Sequence, residues 1–229
     1  MLVRRAAIAA VVGLCCGISF GQVPSQNINM VSGTNWPAGD PYLQRQNEPS
    51  MAVSSRNPEH LLAGSNDYRT VDIPQTMPNM PPNILGDAWV SIFTSMDGGE
   101  TWKSTLLPGY PQDTSAIGTS SPLHSFTVAT DPTVRAGTHG MFYYSGLAFN
   151  RGANSPSGVF VATLQDQNNK GNGDAAYLST SGGKTHGNPF AYLGVSMVDS
   201  GTSGQFLDKP WIVVDIPRPG RTATCPTGT

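Results

Sequence analysis

The sequence predicts an all-β protein in which small antiparallel sheets repeat along the chain. Three observations carry this prediction: a high content of glycine and proline, short apolar segments with strand character, and a strand order that returns. The 229 residues include 26 Gly and 19 Pro, and both residue types interrupt helices. The composition therefore favours short strands joined by many turns.

Composition and charge exclude several classes of protein. Hydrophobic residues make up 38% of the chain, which is enough for a folded core. The formal net charge is -2, and the scattered Lys and Arg residues form no basic patch of the kind that binds nucleic acid. The histidines have no zinc-site spacing, and no phosphate-binding glycine loop is present. We therefore expect no nucleic-acid partner, no metal and no cofactor.

The first 21 residues have the pattern of a signal peptide. Arg4 and Arg5 precede an apolar stretch, and a small-x-small pattern ends at Gly21. The stretch is shorter than the roughly 20 apolar residues that a membrane-spanning helix needs. We expect cleavage near Gly21, a secreted or periplasmic protein, and no membrane span in the mature chain. The polar, proline-containing residues 22–46 are predicted to form an extended leader.

Strand candidates then appear twice in the same order. The first unit has candidates at 50–54, 60–65 and 88–95, and the second at 125–132, 140–146 and 158–163. In this alignment Asp131-Pro132 corresponds to the Asn57-Pro58 turn, and residues 209–217 open a third copy. No segment predicts a convincing helix. Such repetition is typical of β-propeller blades, although a β-sandwich has strands of similar length and remains open on this pattern alone.

The turn Ser95–Trp102 distinguishes these two folds. Its Asp97 can accept hydrogen bonds from the backbone N–H groups that follow. Gly98 and Gly99 can adopt the positive φ angles of a tight hairpin, and Trp102 supplies a large apolar body. The sequence therefore predicts a self-contained hairpin turn at this point.

A degraded copy of the turn occurs at 179–186. It keeps Ser179, Gly183 and Thr185, whereas Ser181 replaces the aspartate and His186 replaces the tryptophan. Two such turns at equivalent places in successive units are harder to obtain by chance than one. The pair favours repeated blades over a sandwich.

The complete turn resembles the Asp box, Ser-x-Asp-x-Gly-x-Thr-Trp, of the sialidase-like (BNR repeat) β-propeller superfamily. Every specified position matches; these are Ser95, Asp97, Gly99, Thr101 and Trp102. The resemblance implies a secreted bacterial protein with four-stranded antiparallel blades, six of them when complete. Residues 47–229 would form a partial propeller. Blade 1 would occupy about 47–115, blade 2 about 120–200 and the start of blade 3 205–229, so the chain is predicted to be an N-terminal fragment.

The resemblance also implies an exo-sialidase-like glycosidase. Such enzymes have an arginine triad that binds the substrate carboxylate and an aspartate that acts as general acid and base. They also have a tyrosine nucleophile that is activated by a glutamate. Family order proposes Arg69 as a carboxylate clamp and Asp87 as the acid/base; the alternative is a loop arginine and a solvated or salt-bridged aspartate. The Tyr143-Tyr144 pair has no neighbouring Glu and is assigned to strand packing.

Three functions remain open at this stage. The first is a glycosidase that acts on terminal sugars of extracellular glycans or glycoproteins. The second is a non-catalytic propeller that binds glycan or protein, and the third is a hydrolase of plant polysaccharide with paired aspartates. The segment 166–174 resembles the start of a calcium loop, but Lys170 and Tyr177 stand where ligands are needed, so we predict a plain polar loop.

Overall fold

The computed structural model describes residues 27–31, 46–68, 87–167, 189–201 and 205–217. Helical structure within them is confined to one α-helical turn, α1, and two short 3-10 helices; these are Ala116–Thr119, Pro122–Ser125 and Thr138–Gly140. The strands are β1 (Gln46–Val53), β2 (Leu61–Asp67), β3 (Trp89–Ser95), β4 (Lys103–Leu106), β5 (Val128–Ala136), β6 (Met141–Phe149), β7 (Ser157–Asp166) and β8 (Phe190–Gly201).

The strands form two antiparallel four-stranded sheets. Sheet 1 has the order β1-β2-β3-β4 and sheet 2 the order β5-β6-β7-β8. Each strand pairs with its neighbour in the sequence, so each sheet is a meander. The prediction of an all-β chain with repeated four-stranded antiparallel sheets is confirmed for the described residues. Within these ranges no helix is long and apolar enough to cross a membrane.

Strand direction defines two ends of the molecule. At the upper end β1, β3, β5 and β7 begin; at the lower end these four strands finish. In sheet 1, Asp67 pairs with Trp89 at the upper end, and Leu61 pairs with Ser95 at the lower end. A seven-residue strand spans roughly 20 Å, so groups at the two ends do not meet.

The two sheets pack face to face around one apolar core. Leu62 and Val90 of sheet 1 contact a cluster that includes Phe142 and Phe160 of sheet 2, and all four side chains are inaccessible to solvent. Tyr144 crosses from β6 towards sheet 1 and lies in the same cluster. This burial is the main stabilising contact between the two repeats.

Polar contacts tie the sheets together at both ends. At the upper end the Asp131 backbone N–H donates to the Asn66 side-chain oxygen at 2.7 Å. At the lower end the Ser54 hydroxyl donates to the buried Asp166 carboxylate at 2.6 Å, and His60 Nδ1 lies 3.0 Å from the same oxygen. Because these groups are buried and bonded across the interface, they help to set how one sheet sits on the other.

The predicted end of the fifth strand is wrong. The sequence pattern placed a turn at Asp131-Pro132, whereas β5 continues to Ala136 and pairs with β6 on both sides of this dipeptide. Asp131 has φ 57°, and the register shifts between Thr130 and Thr133. The dipeptide therefore forms a β-bulge within the strand, since one extra residue is accommodated without ending the ladder.

Other elements also differ from the sequence interpretation. The strands β4 and β8 have no clear apolar alternation and were not identified. The helix α1 was not expected; Ser115 caps it by accepting a hydrogen bond from the Gly118 N–H at 3.0 Å. Residues 205–217 are extended without strand pairing to other described residues, although residues 209–217 were expected to open a third copy.

Candidate functional site

Three residues at the upper end share an unusual backbone conformation. Glu48, Asp131 and Lys209 have φ angles of 53°, 57° and 50°, and each is followed by a proline. Left-handed φ is costly for residues with a side chain, and such strain is found most often at functional sites. Glu48 and Asp131 lie at matching register shifts near the starts of β1 and β5, so these two positions are equivalent in the two sheets. The correct repeat partner of Asp131-Pro132 is Glu48-Pro49, rather than Asn57-Pro58.

The side chains of these three residues converge. Lys209 Nζ lies 3.2 Å from a carboxylate oxygen of Glu48 and 3.1 Å from one of Asp131. The Lys209 ammonium thus brings the Glu48 and Asp131 carboxyl groups close to each other. Asp131 is 13% exposed, against 44% for Glu48 and 66% for Lys209. We call this group the upper charge cluster.

The contacts within the upper charge cluster shift two pKa values. The neighbouring Asp131 carboxyl, followed by desolvation, raises the pKa of Glu48 above its ordinary value. The contacts with Asp131 and Glu48 raise the pKa of Lys209. A carboxyl group beside a second carboxyl is harder to ionise, because the two negative charges repel each other. The cluster therefore presents two carboxyl groups and an ammonium to a polar ligand.

Asp87, the predicted acid/base, also lies at the upper end. One carboxylate oxygen is ion-paired with the guanidinium of Arg151, and the other accepts a hydrogen bond from the Ala88 N–H at 2.7 Å. The ion pair with Asp87 raises the pKa of Arg151. Asp87 could donate a proton only if this pair separated. Arg69, the predicted clamp, lies outside the described residues.

The Ser95–Trp102 turn lies at the lower end and joins β3 to β4. Asp97 accepts from the Thr101 N–H at 2.9 Å and also from the Thr101 hydroxyl. Ser95 Oγ accepts from the Gly99 N–H at 2.9 Å, and the Trp102 indole N–H donates to the Gly99 carbonyl at 2.9 Å. Every one of these bonds is local, so the turn is a structural unit placed away from the upper charge cluster.

The acidity of Asp97 follows from these contacts. Desolvation raises its pKa, but the bonds donated by the side chain and backbone of Thr101 and by Ser95 outweigh it, and the net pKa is lowered. Gly98 and Gly99 have φ of 72° and 99°, the conformation that glycine tolerates best.

Two other sequence hypotheses concern the β7–β8 connection. The degraded turn at 179–186, with Ser179, Ser181, Gly183 and Thr185, lies outside the described residues. The first residue of the calcium-like segment, Asp166, turns its carboxylate into the sheet interface. Across the part of the chain that the structure describes, no group of three or more His, Cys, Asp or Glu residues could hold a metal ion.

The upper charge cluster was not predicted from the sequence. The available signal was a charged residue before proline, which recurs in Glu48-Pro49, Asp131-Pro132 and Lys209-Pro210. Tyr144, assigned to packing, is fully buried, and its hydroxyl donates to the Ser91 carbonyl at 2.8 Å.

Comparison with known proteins places limits on what can be transferred. No protein-family model matches the chain, and no curated protein matches it. Among solved structures it is similar to a Trypanosoma rangeli sialidase in complex with the inhibitor DANA, with 13% sequence identity over 68% of this chain and a TM-score of 0.37. The match spans 21% of that chain. At this score the likeness supports no correspondence between individual residues.

Proposed function

We propose that the chain is part of a secreted glycoside hydrolase that acts on terminal sugars of extracellular glycans. The observation that carries the proposal is the upper charge cluster, in which two carboxyl groups and an ammonium converge from three strained pre-proline positions. The resemblance of the Ser95–Trp102 turn to the Asp box supports the proposal that the chain is part of a β-propeller.

The chemistry of glycoside cleavage matches the groups in the cluster. The reaction needs an acid that protonates the leaving oxygen and a second carboxylate that stays charged. In our proposal Glu48 gives its proton to the leaving oxygen as the glycosidic bond breaks. Water then adds to the sugar carbon and returns a proton to Glu48.

Two cations at the upper end are accessible to an acidic sugar. Lys209 and Arg151 each expose about two thirds of their side chains there, and each is ion-paired, Lys209 with Glu48 and Asp131 and Arg151 with Asp87. A substrate carboxylate would bind by displacing these protein carboxyl groups from the cations, and Arg69 is proposed as a further clamp. A sialoside is therefore the first substrate to test.

Hydrolysis of a fluorogenic sialoside tests this proposal, with neutral glycosides run in parallel. We expect Glu48→Gln to lower the rate by at least about a hundredfold, since general acid catalysis contributes roughly 10²–10⁴. The matched control is Glu59→Gln, because Glu59 is an exposed glutamate at the lower end, and it should leave the rate unchanged. Unchanged activity in Glu48→Gln would remove this residue from the mechanism, and unchanged activity in Arg69→Ala would do the same for the clamp.

A second candidate is glycan binding without hydrolysis. The ion pair between Asp87 and Arg151 favours this non-catalytic function. The resemblance assigns Asp87 as the acid/base, and its carboxylate is engaged by the Arg151 guanidinium. Titration calorimetry with the same sialoside separates the two functions. Binding without turnover at any pH between 4 and 8 would establish the non-catalytic role, and loss of binding in Lys209→Met would place the ligand at the cluster.

A further inference from the structure

The two central strands of sheet 1 are buried on the outer face of the sheet, which points away from sheet 2. An antiparallel sheet packed on one side usually alternates between buried and solvated residues. Strand β7 shows that alternation over most of its length, whereas every residue of β2 and β3 is buried. Four outward side chains are at most 2% exposed; these are Ala63, Ser65, Ser91 and Phe93. Something other than sheet 2 must therefore cover them.

Residues 27–31 lie on this face. Val31 is 6% exposed and forms a separate apolar cluster with Ala63 and Phe93. Met30 and Trp102 are half-buried against the same cluster. The sequence predicted an extended polar leader here. The contact of Val31 with Ala63 and Phe93 is a tertiary feature that the polar composition of the segment did not indicate.

The local structure of the segment explains why one apolar residue points inward. Val31 donates its backbone N–H to the Asn29 side-chain oxygen at 3.0 Å, which closes a tight turn. Ile28, only three residues earlier, is 45% exposed. The turn thus directs Val31 towards Phe93 and leaves Ile28 in solvent. Burial of a valine side chain contributes to stability in proportion to the apolar area removed from water.

We propose that residues 27–31 form an intramolecular cap on the outer face of sheet 1. The cap covers Ala63 and Phe93, and Val31 is its anchor. The surface formed by Ala63, Phe93 and Trp102 is accordingly a binding surface for a short apolar turn of the same chain. Burial of Val31 against Phe93 removes apolar area of both side chains from water.

Thiol labelling of single-cysteine substitutions tests the cap directly. Val31→Cys preserves most of the side-chain volume, and Ile28→Cys is the matched control in the same turn. With a maleimide reagent and quantification of the peptide that contains residue 31 or 28, we expect Val31→Cys to react at least about tenfold more slowly, since its thiol is reached only by local opening. Equal rates at the two positions would overturn the proposal.

Hydrogen exchange supplies a second, independent readout. Val31→Asp places a charge against Phe93 and should speed amide exchange across β2 and β3, whereas Ile28→Asp should not. Exchange in β7 should change little, because that strand faces solvent on its outer side. If Val31→Asp leaves exchange in β2 and β3 at the wild-type rate, residues 27–31 do not cap the sheet. Should the aspartate variant fail to fold, Val31→Ala provides the same comparison at lower cost in stability.

Discussion

The contact between Gly64 and Tyr144 can be tested with a single methyl group. Gly64 lies in β2, and the fully buried ring of Tyr144 reaches it from β6. A Cβ atom at position 64 would lie 2.6 Å from Tyr144 Cζ, whereas ordinary contacts begin at 3.4 Å. Gly64→Ala therefore forces the ring to move, and the ring cannot move without disturbing its hydrogen bond to the Ser91 carbonyl.

The expected cost follows from these two effects. Overpacking a core typically costs about 1–3 kcal/mol, and loss of one buried hydrogen bond adds about 1 kcal/mol. Gly64→Ala should thus lower the free energy of unfolding by about 2–4 kcal/mol. Because domains are stable by only about 5–15 kcal/mol, equilibrium unfolding in urea, followed by tryptophan fluorescence, will resolve the change.

A double-mutant cycle shows whether the cost is steric. In a Tyr144→Leu background the ring is absent, so the added methyl group should cost less than about 1 kcal/mol. The two changes should then be coupled by about 2 kcal/mol. If Gly64→Ala costs the same in both backgrounds, the clash with Tyr144 is not its cause and the reasoning from packing is wrong.

Three further predictions concern the charged groups. Asp97→Asn should lower the urea midpoint at pH 7 but not at pH 3. The lowered pKa of Asp97 means that its carboxylate stabilises the fold above the ordinary carboxyl pKa of about 3.9, and this stability is lost as the pH falls. Equal effects at both pH values would contradict this reasoning. The pKa of Glu48 is raised, so the stability that its protonated form contributes is present below about 4.3 and is lost as the pH rises. Glu48→Gln should therefore gain stability relative to wild type between pH 4 and 7, and a difference that is constant with pH would contradict the raised pKa. Asp166→Asn should cost about 2–4 kcal/mol in thermal unfolding, since it weakens bonds from two buried groups, whereas Asp199→Asn on exposed β8 should cost almost nothing.

Strands with strong apolar patterns were predictable from the sequence. The third candidate, 88–95, differs from the observed β3 (Trp89–Ser95) by one residue, because its aromatic and β-branched side chains are suited to a buried strand. In contrast β4 has only four residues, three of them at least partly exposed, and β8 carries Gly194 and exposed Val198. Edge strands bury little, so their sequences have weak periodicity.

The upper charge cluster was less accessible to sequence reasoning. The charged residue before each proline was visible, but Asp131-Pro132 also has the composition of a turn. Only the pairing of β5 with β6 on both sides of Asp131 shows that the dipeptide is a bulge. Val31 was missed for a related reason, because a single valine in a polar leader has no periodicity to mark it.

The sequence by itself determined the Ser95–Trp102 turn and the repeated all-β character. The bonds within that turn join residues at most four positions apart, so the residue types present are sufficient to specify them. Only the tertiary structure decided the meeting of Glu48, Asp131 and Lys209 and the docking of Val31 on Phe93. These contacts join segments that are remote in the chain, so no local pattern specifies them and they form only when the fold brings those segments together.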